Sequence, residues 1–207
     1  MPSGEDFLTG NLACPGTLKV SDSGYCMTIS LRRFQLRERT AAAHGVVDAA
    51  IGGFDTLSSY RRYLASLYRF RAPLEASLAA DWTPVLGGWR PSVIADDILA
   101  DMADLDMPPP QAPYSSGLDI DAHSSLLGTL YVLEGSALGA RVLYQRAQAL
   151  GLTEQFGARH LARQASRIED WRAFLDILEA ADSFDIERAA DASLAAFAIA
   201  ADAFEAR

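Results

Sequence analysis

Cysteine is almost missing from this sequence, and its scarcity narrows the chemistry that the chain can support. The two cysteines, Cys14 and Cys26, both precede the first segment with helical periodicity. A cysteine-based zinc site or a framework of disulfide bonds is therefore excluded from the region that is expected to fold. Histidine is nearly as scarce, with 3 in 207 residues. Any imidazole chemistry must use His44, His123 or His160.

Positive charge is also in short supply. The chain has 18 Lys and Arg against 27 Asp and Glu, which gives a net charge of -9 and a pI near 4.7. Proteins that bind nucleic acid usually present a basic surface, so no nucleic-acid partner is expected. No apolar run approaches the ~20 residues that cross a bilayer, and the N-terminus lacks the pattern of a secretory signal. We therefore expect a cytoplasmic protein with no membrane span that acts on a small partner.

The first 29 residues show no periodicity of a helix or a strand, so residues 1–29 are predicted to be a flexible leader. Met27 stands just before the first periodic helix, and translation that begins there would explain the same layout. Residues 30–207 are predicted to form one domain. A hydrophobic content of 50% is enough for a substantial core in a chain of this length.

Helical periodicity dominates the remaining chain. Helices are predicted over residues 30–51, 56–80, 121–150, 153–165, 166–181 and 183–206, with a short helix that begins near Pro91. Gly52 and Gly53 are expected to end the first helix, Asp55 or Thr56 to cap the second, and Pro73 to kink or interrupt it. With no convincing strand, the sequence predicts an all-α, single-domain bundle of seven or eight helices.

The central helix carries two glycines inside the apolar run GTLYVLEGSALGARVL, residues 128–143. Gly135 and Gly139, at positions i and i+4, lie on one helical face, and each costs about 1 kcal/mol of helix propensity. Their missing side chains leave a strip of backbone against which a flat object can pack. A second helix is the commoner occupant of such a strip, and a planar ligand is the alternative.

His44 differs from the other histidines because it lies within an apolar stripe. His123, in the first turn of the central helix, and His160, beside Arg159 in a polar segment, are both predicted to lie at the surface. Asp48, one turn after His44, can accept a hydrogen bond from Nδ1 and direct Nε2 away from the helix, as in metal-bound histidines. A simple buried hydrogen bond in the core is the other role open to this pair.

Taken together, the two helices favour one kind of ligand. A single imidazole without cysteines is a poor set of ligands for a bare zinc or di-iron centre. Heme iron needs fewer ligands from the protein, because the porphyrin supplies four nitrogens. One axial position is left for histidine, and the opposite one is open to dioxygen. The residues therefore suit heme better than a bare metal ion, with His44 as the candidate axial ligand of the iron.

The sequence resembles the biliverdin-producing heme oxygenases, in particular the bacterial type found beside bacteriophytochromes or in iron scavenging. The resemblance rests on LRERTAAAHGVVD at residues 36–48, ASLYRF at 65–70, YVLEGSALGARVL at 131–143 and, more weakly, WRAFLDIL at 171–178. It spans the chain from Ser30 onward. It implies a heme-oxygenase-like helical fold with a distal helix kinked at Gly135 and Gly139, whose backbone steers bound dioxygen toward a meso carbon.

The same resemblance implies a reaction and its partners. The reaction is the oxidative opening of heme to biliverdin, carbon monoxide and ferrous iron, with heme as both substrate and cofactor. The electrons come from an external donor such as a ferredoxin or a flavin reductase, and a bacteriophytochrome is a candidate acceptor of the product. Two other functions stay open: a heme carrier or sensor of the same fold that does not degrade heme, and a thiaminase-like helical bundle that binds a small heterocycle.

Three further site residues follow from the resemblance, and a fourth from its position in the sequence. Ser136 stands where animal members carry an aspartate that holds proton-delivering waters, so the water network must be organised in another way. Tyr68 matches a tyrosine of the family's distal network, with an ordinary core position as the alternative. Arg172 matches an arginine that binds a heme propionate. Arg141, on the distal helix after Gly139, is a second candidate, and a surface position is the default for both arginines.

Overall fold

A computed structural model describes residues 31–78, 82, 84–111, 117, 118, 120 and 122–205. These residues form eight helices and, apart from two isolated bridges near Thr153, no β-structure, which confirms the predicted all-α class. The helices are α1 (Leu31–Ile51), α2 (Leu57–Ser77), α3 (Ala95–Asp104), α4 (His123–Gly135), α5 (Ala137–Ala149), α6 (Arg159–Ser166), α7 (Ile168–Ala180) and α8 (Ile186–Glu205). The predicted leader, both cysteines and Asp121 lie outside the described residues.

Helix α1 ends where the sequence predicts. Gly52 follows its last residue with a φ of 57°, a left-handed conformation that glycine adopts without steric cost. The N–H of Gly52 donates to the carbonyl of Asp48 at 3.0 Å and so closes the final turn. A glycine immediately after the helix is the usual way to end it.

Helix α2 is capped by Thr56 rather than Asp55. The Thr56 hydroxyl accepts from the N–H of Ser59, and the Ser59 hydroxyl accepts from the N–H of Thr56, both at 3.1 Å. This reciprocal pair is a capping box. Pro73 lies inside the helix without interrupting it, since the chain stays helical beyond the proline and Leu78 closes the last turn. The prediction of an interruption at Pro73 is therefore wrong.

The predicted start of a helix near Pro91 is also wrong, because α3 begins at Ala95. The first free N–H groups of α3 are bound by a carboxylate from another helix. Glu75 of α2 accepts from the N–H of Ile94 at 3.1 Å and from that of Ala95 at 2.8 Å. An acidic group at a helix N-terminus satisfies these donors and interacts favourably with the helix dipole. The position of Glu75 therefore decides where α3 begins.

Helix α6 likewise begins at Arg159, later than the predicted start at Thr153. The residues before it form a tight turn, in which the N–H of Thr153 donates to the carbonyl of Phe156 at 2.8 Å. The carboxylate of Asp101, on α3, accepts from the N–H of Arg159 at 2.9 Å and from that of His160 at 3.1 Å. A partner distant in sequence again sets the start of the helix.

The single central helix of the prediction is in fact two helices, α4 and α5, which meet at Ser136. Adjacent glycine and serine residues are a common cause of helix kinks. The Ser136 hydroxyl donates to the carbonyl of Leu133 at 2.6 Å, a local bond of the kind that competes with the helical ladder. The break separates the buried helix α4 from the largely exposed helix α5.

The stretch His123–Ala149 is long and apolar enough to cross a membrane by length and composition, contrary to the expectation from sequence. Half of it is buried inside the protein. Core helices of soluble proteins meet the same criterion, so the burial explains its apolar character without a bilayer.

Helix α8 packs against both α1 and α4. The backbones of α4 and α8 come very close at Gly128, where a Cβ would lie 2.0 Å from the carbonyl oxygen of Ala189 on α8. Ser193 on α8 donates a hydrogen bond to the carbonyl of Gly128 at 2.8 Å. Gly128 is therefore the glycine that lets these two helices touch.

Candidate functional site

A cavity of about 910 Å³ lies between α1 on one side and the α4–α5 junction on the other. Its volume is within the roughly 300–1,000 Å³ that is usual for sites of small molecules and cofactors. Most of its wall is apolar, and its lining residues come from seven of the described helices, all except α3. The large apolar residues in the wall include Leu67, Phe70, Val132, Leu143, Trp171 and Phe197.

His44 lines this cavity from the α1 side. Its Nδ1 lies 2.9 Å from Oδ2 of Asp48, and its ring meets the edge of Phe197 at a centroid distance of 5.6 Å. The side chain is 61% exposed, so His44 is not a core histidine. When Nδ1–H donates to Asp48, the lone pair of Nε2 is left for a ligand.

Gly135 and Gly139 line the same cavity from the opposite helices. A Cβ added at Gly139 would have no described atom within 4 Å, and one added at Gly135 would meet only the ring of Trp171 at 3.7 Å, an ordinary contact. Neither glycine is pressed against another helix. The helix-packing interpretation therefore applies to Gly128 and not to this pair, whose backbone faces open space.

Ser136, between these glycines, also lines the cavity and is held by a residue that sequence reasoning missed. Gln164 of α6 lies 2.9 Å, through Nε2, from the Ser136 hydroxyl oxygen. Gln164 is only 6% exposed and lines the cavity as well. Its one sequence signal is a polar side chain on the inner face of a short amphipathic helix, which by itself does not indicate a site.

Tyr63 reaches the cavity, whereas the predicted Tyr68 is half-buried and is not among the lining residues. Both tyrosines lie on α2. Burial raises the pKa of the Tyr63 hydroxyl above its ordinary value, so the phenol stays neutral and can donate a hydrogen bond. The sequence predicted Tyr68 on the apolar side of this helix, but in the structure Tyr63 is the buried tyrosine of the two.

Three arginines line the cavity: Arg33 and Arg37, one turn apart on α1, and Arg146 on α5. None of the three guanidinium groups forms an ion pair within the described residues. Burial raises the pKa of the nearby Tyr131, and the charges of Arg33 and Arg37 partly oppose this shift. In a chain with a net charge of -9, unpaired cations at one cavity indicate a site for an anionic ligand.

The two arginines named from the sequence lie elsewhere. Arg172 is exposed and paired with Glu169, one turn earlier on α7, and Arg141 is exposed on α5. Neither lines the cavity. The ring of Trp171 does reach the cavity. Successive side chains on a helix point in different directions, so Arg172, the next residue, is directed to solvent.

His160 is fully buried, contrary to the predicted surface position. Its Nδ1 lies 2.7 Å from Oδ2 of Asp101, and its ring stacks on Tyr63 at 5.9 Å between centroids. The segment looked polar because its arginines face water while His160 faces inward. His123 is half-buried in the first turn of α4 and does not line the cavity.

A porphyrin fits these features better than a bare metal ion does. Among the described residues, no group of three or more His, Cys, Asp or Glu side chains could hold a metal. The cavity instead offers one imidazole, an apolar wall, an open backbone strip and three cations. A heme group needs one axial nitrogen, apolar surroundings and cationic partners for its two carboxylates.

Comparisons with known proteins agree with this assignment. No family model matches the chain. The heme oxygenase PigA of Pseudomonas aeruginosa is 37% identical over 128 residues, which are 61% of this chain and 65% of that protein. The match therefore spans slightly less than two thirds of that relative's length. The crystal structure of the NO- and CO-bound heme oxygenase of Neisseria meningitidis matches with a TM-score of 0.63 and 25% identity, over 84% of this chain and 92% of that one.

The fold is thus all-α and similar to that of a heme oxygenase of known structure. The relative at 37% identity and the structure with a TM-score of 0.63 are both heme oxygenases, and this chain is similar to each over the lengths given.

Proposed function

We propose that the protein degrades heme, opening it oxidatively to biliverdin, carbon monoxide and ferrous iron with dioxygen and external electrons. The observation that carries this proposal is the bare backbone at Gly139, which faces the same cavity as His44. A protein that only needs close helix packing has no use for an unfilled face at this position. Similarity to two heme oxygenases supports the same class of reaction.

The residues of the chain take separate roles in this proposal. His44 holds the iron through Nε2, and Asp48 keeps the imidazole in the tautomer that binds metal. Gly135 and Gly139 keep the opposite side free of side chains, which leaves room for dioxygen beside the ring carbon that is attacked. Heme itself supplies the iron that activates dioxygen and the carbon that is oxidised. The apolar wall limits access of water to the reaction.

Two partners complete the proposal. The reaction needs electrons from an external donor, and we propose a ferredoxin or a flavin reductase in this role. We propose that this protein and its donor are both in the cytoplasm. A bacteriophytochrome that takes up the biliverdin is a candidate for the next step. Both partners are what the resemblance to bacterial heme oxygenases implies, and reconstitution with each class of donor tests the first.

Turnover with hemin tests the proposed activity directly. Purified protein is titrated with hemin and then given a reductant in air, and the visible spectrum is followed for loss of the Soret band and growth of biliverdin absorption. We expect stoichiometric binding followed by conversion to biliverdin. A hemin complex that persists under these conditions would show a carrier or sensor, and absence of tight binding would exclude both.

Replacement of Gly139 by leucine is expected to impair ligand binding at the open side of the hemin more than hemin binding itself. The new side chain meets no described atom within 4 Å, so the fold should tolerate it, yet it fills part of the cavity. Carbon monoxide should bind the reduced complex at least about 10-fold more weakly, a loss of about 1.4 kcal/mol, while hemin affinity changes less. Carbon monoxide titration and hemin titration give the two values. Equal losses of both would indicate that Gly139 serves packing.

The cavity arginines, rather than Arg172 or Arg141, are proposed to bind the propionates. Charge-assisted bonds to exposed groups are modest, so Arg37→Ala and Arg146→Ala are each expected to weaken hemin binding about 3- to 10-fold, with a smaller loss at high salt. Arg172→Ala is the matched control and should bind hemin like the unaltered protein. Hemin titrations at two salt concentrations measure this. A loss in Arg172→Ala as large as in the other two would return the role to Arg172.

A further inference from the structure

The hydrogen bonds of Ser136 can be assigned donor by donor. Its hydroxyl oxygen lies 2.6 Å from the carbonyl oxygen of Leu133, and a carbonyl only accepts, so the serine proton is used there. Gln164 must then donate its Nε2–H to Ser136 across the 2.9 Å contact. This also fixes the orientation of the Gln164 amide, which hydrogen-bond logic decides. Ser136 keeps one free lone pair and no free proton.

Gln164 is held firmly enough to impose this pattern. It is 6% exposed on α6, a helix that packs against α5 and α3 and whose start is bound by Asp101. Within the described part of the chain, its amide oxygen has no hydrogen-bond partner. The amide therefore presents a free acceptor beside the lone pair of Ser136.

No acid is placed to do the same work. Among the described residues that line the cavity, Asp48 is the sole carboxylate, and it is engaged by His44. Glu134, the carboxylate next in sequence to Gly135, accepts from the N–H of Ser92 at 2.7 Å and does not line the cavity. A proton that reaches the substrate from this side must therefore pass through water.

We propose that Gln164 is a positioning residue: its hydrogen bond to Ser136 keeps the serine proton on the Leu133 carbonyl, so that Ser136 offers the cavity only an acceptor. The pair then holds a water molecule with one O–H on Ser136 and the other directed into the cavity. A hydroxyl that is free to turn would either donate a hydrogen bond to the water or accept one from it. A hydroxyl that only accepts selects the orientation in which the second O–H of the water points into the cavity and can deliver a proton. This inference rests on the proposed function, because the water serves heme degradation.

The test uses the ferric hemin complex and the pH at which the water on its open side ionises, read from the visible spectrum. The acceptor Ser136 favours the protonated water, so Ser136→Ala should lower this midpoint by about 0.5 to 1 pH unit, the worth of one hydrogen bond. Without the hydrogen bond from Gln164, the Ser136 hydroxyl can turn away from Leu133 and donate to the water, so Gln164→Met should lower the midpoint in the same direction. In the double variant, Gln164→Met should add nothing to Ser136→Ala. Gln164→Glu adds a negative charge and should raise the midpoint.

The other ionisable groups at the cavity are the same in all four variants. They are His44, Asp48, Tyr63 and Tyr131, together with the three arginines described above. Differences between variants therefore report the Ser136–Gln164 pair. Thermal unfolding of the heme-free variants shows whether each one is folded. If Gln164→Met is not folded, Gln164→Glu, which keeps the size of the side chain, is used in its place.

The possible results separate this inference from the proposed function. A midpoint unchanged in Gln164→Met, or shifts of the two single variants that add in the double variant, would overturn the positioning role while leaving heme degradation intact. A lower unfolding temperature with no change in midpoint would show a purely structural glutamine and overturn it as well. If the unaltered protein binds no hemin, the proposed function fails first and this inference fails with it.

Discussion

His44→Ala is expected to lower hemin affinity by at least about 100-fold and to remove the spectral features of an axial histidine. Loss of residues that merely support a metal ligand already costs 10- to 100-fold in affinity, and His44 is proposed to be the ligand itself. No second imidazole lines the cavity to replace it, since His160 binds Asp101 and His123 lies outside the wall. Biliverdin formation should fall below detection. Hemin titration and turnover in air provide the measurements.

Two controls sharpen the result for His44. The side chain is 61% exposed, so free imidazole should enter the space left by His44→Ala and restore the spectrum of the hemin complex. His123→Ala should bind and degrade hemin as the unaltered protein does. If His44→Ala keeps its axial-histidine spectrum, or His123→Ala loses it, the iron ligand has been assigned to the wrong helix.

Gly128→Ala is expected to lower the free energy of unfolding by about 3 kcal/mol or more. The added methyl carbon would lie 2.0 Å from the carbonyl oxygen of Ala189 and 2.8 Å from its carbonyl carbon, and backbone atoms of a packed helix cannot move aside singly. Helices α4 and α8 must separate, which weakens the hydrogen bond from Ser193 to Gly128. Overpacking of this kind costs 1–3 kcal/mol or more and exceeds the ~1 kcal/mol gained in helix propensity.

Thermal unfolding followed by circular dichroism tests this prediction. A loss of about 3 kcal/mol corresponds to a decrease of roughly 6–12 °C in Tm for a chain of this size. Gly139→Ala is the matched control from the same apolar run, because its Cβ meets no described atom within 4 Å. It should unfold at the same temperature as the unaltered protein or slightly higher. A Tm for Gly128→Ala within about 2 °C of that of Gly139→Ala would contradict the close contact between α4 and α8.

The three glycines of this run show where sequence reasoning ends. Spacing placed Gly135 and Gly139 on one face but left open whether a helix or a ligand occupies it. Gly128 belongs to the same run, but the sequence predicted no role for it. Of the three glycines, it alone has the backbone of another helix against it. What a glycine contacts depends on the helix across from it, and no pattern within the run contains that information.

The site residues also divide into those that the sequence predicted and those that only the tertiary structure revealed. His44 and Asp48 were predicted as a pair because their geometry, with Nδ1 and Oδ2 2.9 Å apart, arises within one helix. Gln164 and Tyr63 were missed because they reach the cavity only through the packing of α6 and α2 against the rest of the bundle. Arg172 was chosen by resemblance, but the structure directs it to solvent beside Glu169.

From its sequence alone, this chain determines an all-α fold, the extent of α1, the start of α2, and a histidine and carboxylate one turn apart. Helical periodicity, a capping box and a terminal glycine determine these features because they act over a few residues. Only the tertiary structure decided where α3 and α6 begin, since the carboxylates of Glu75 and Asp101 bind their first N–H groups from other helices. It also decided which glycine faces a helix and which faces the cavity. Such contacts join residues far apart in the chain, and local patterns do not encode them.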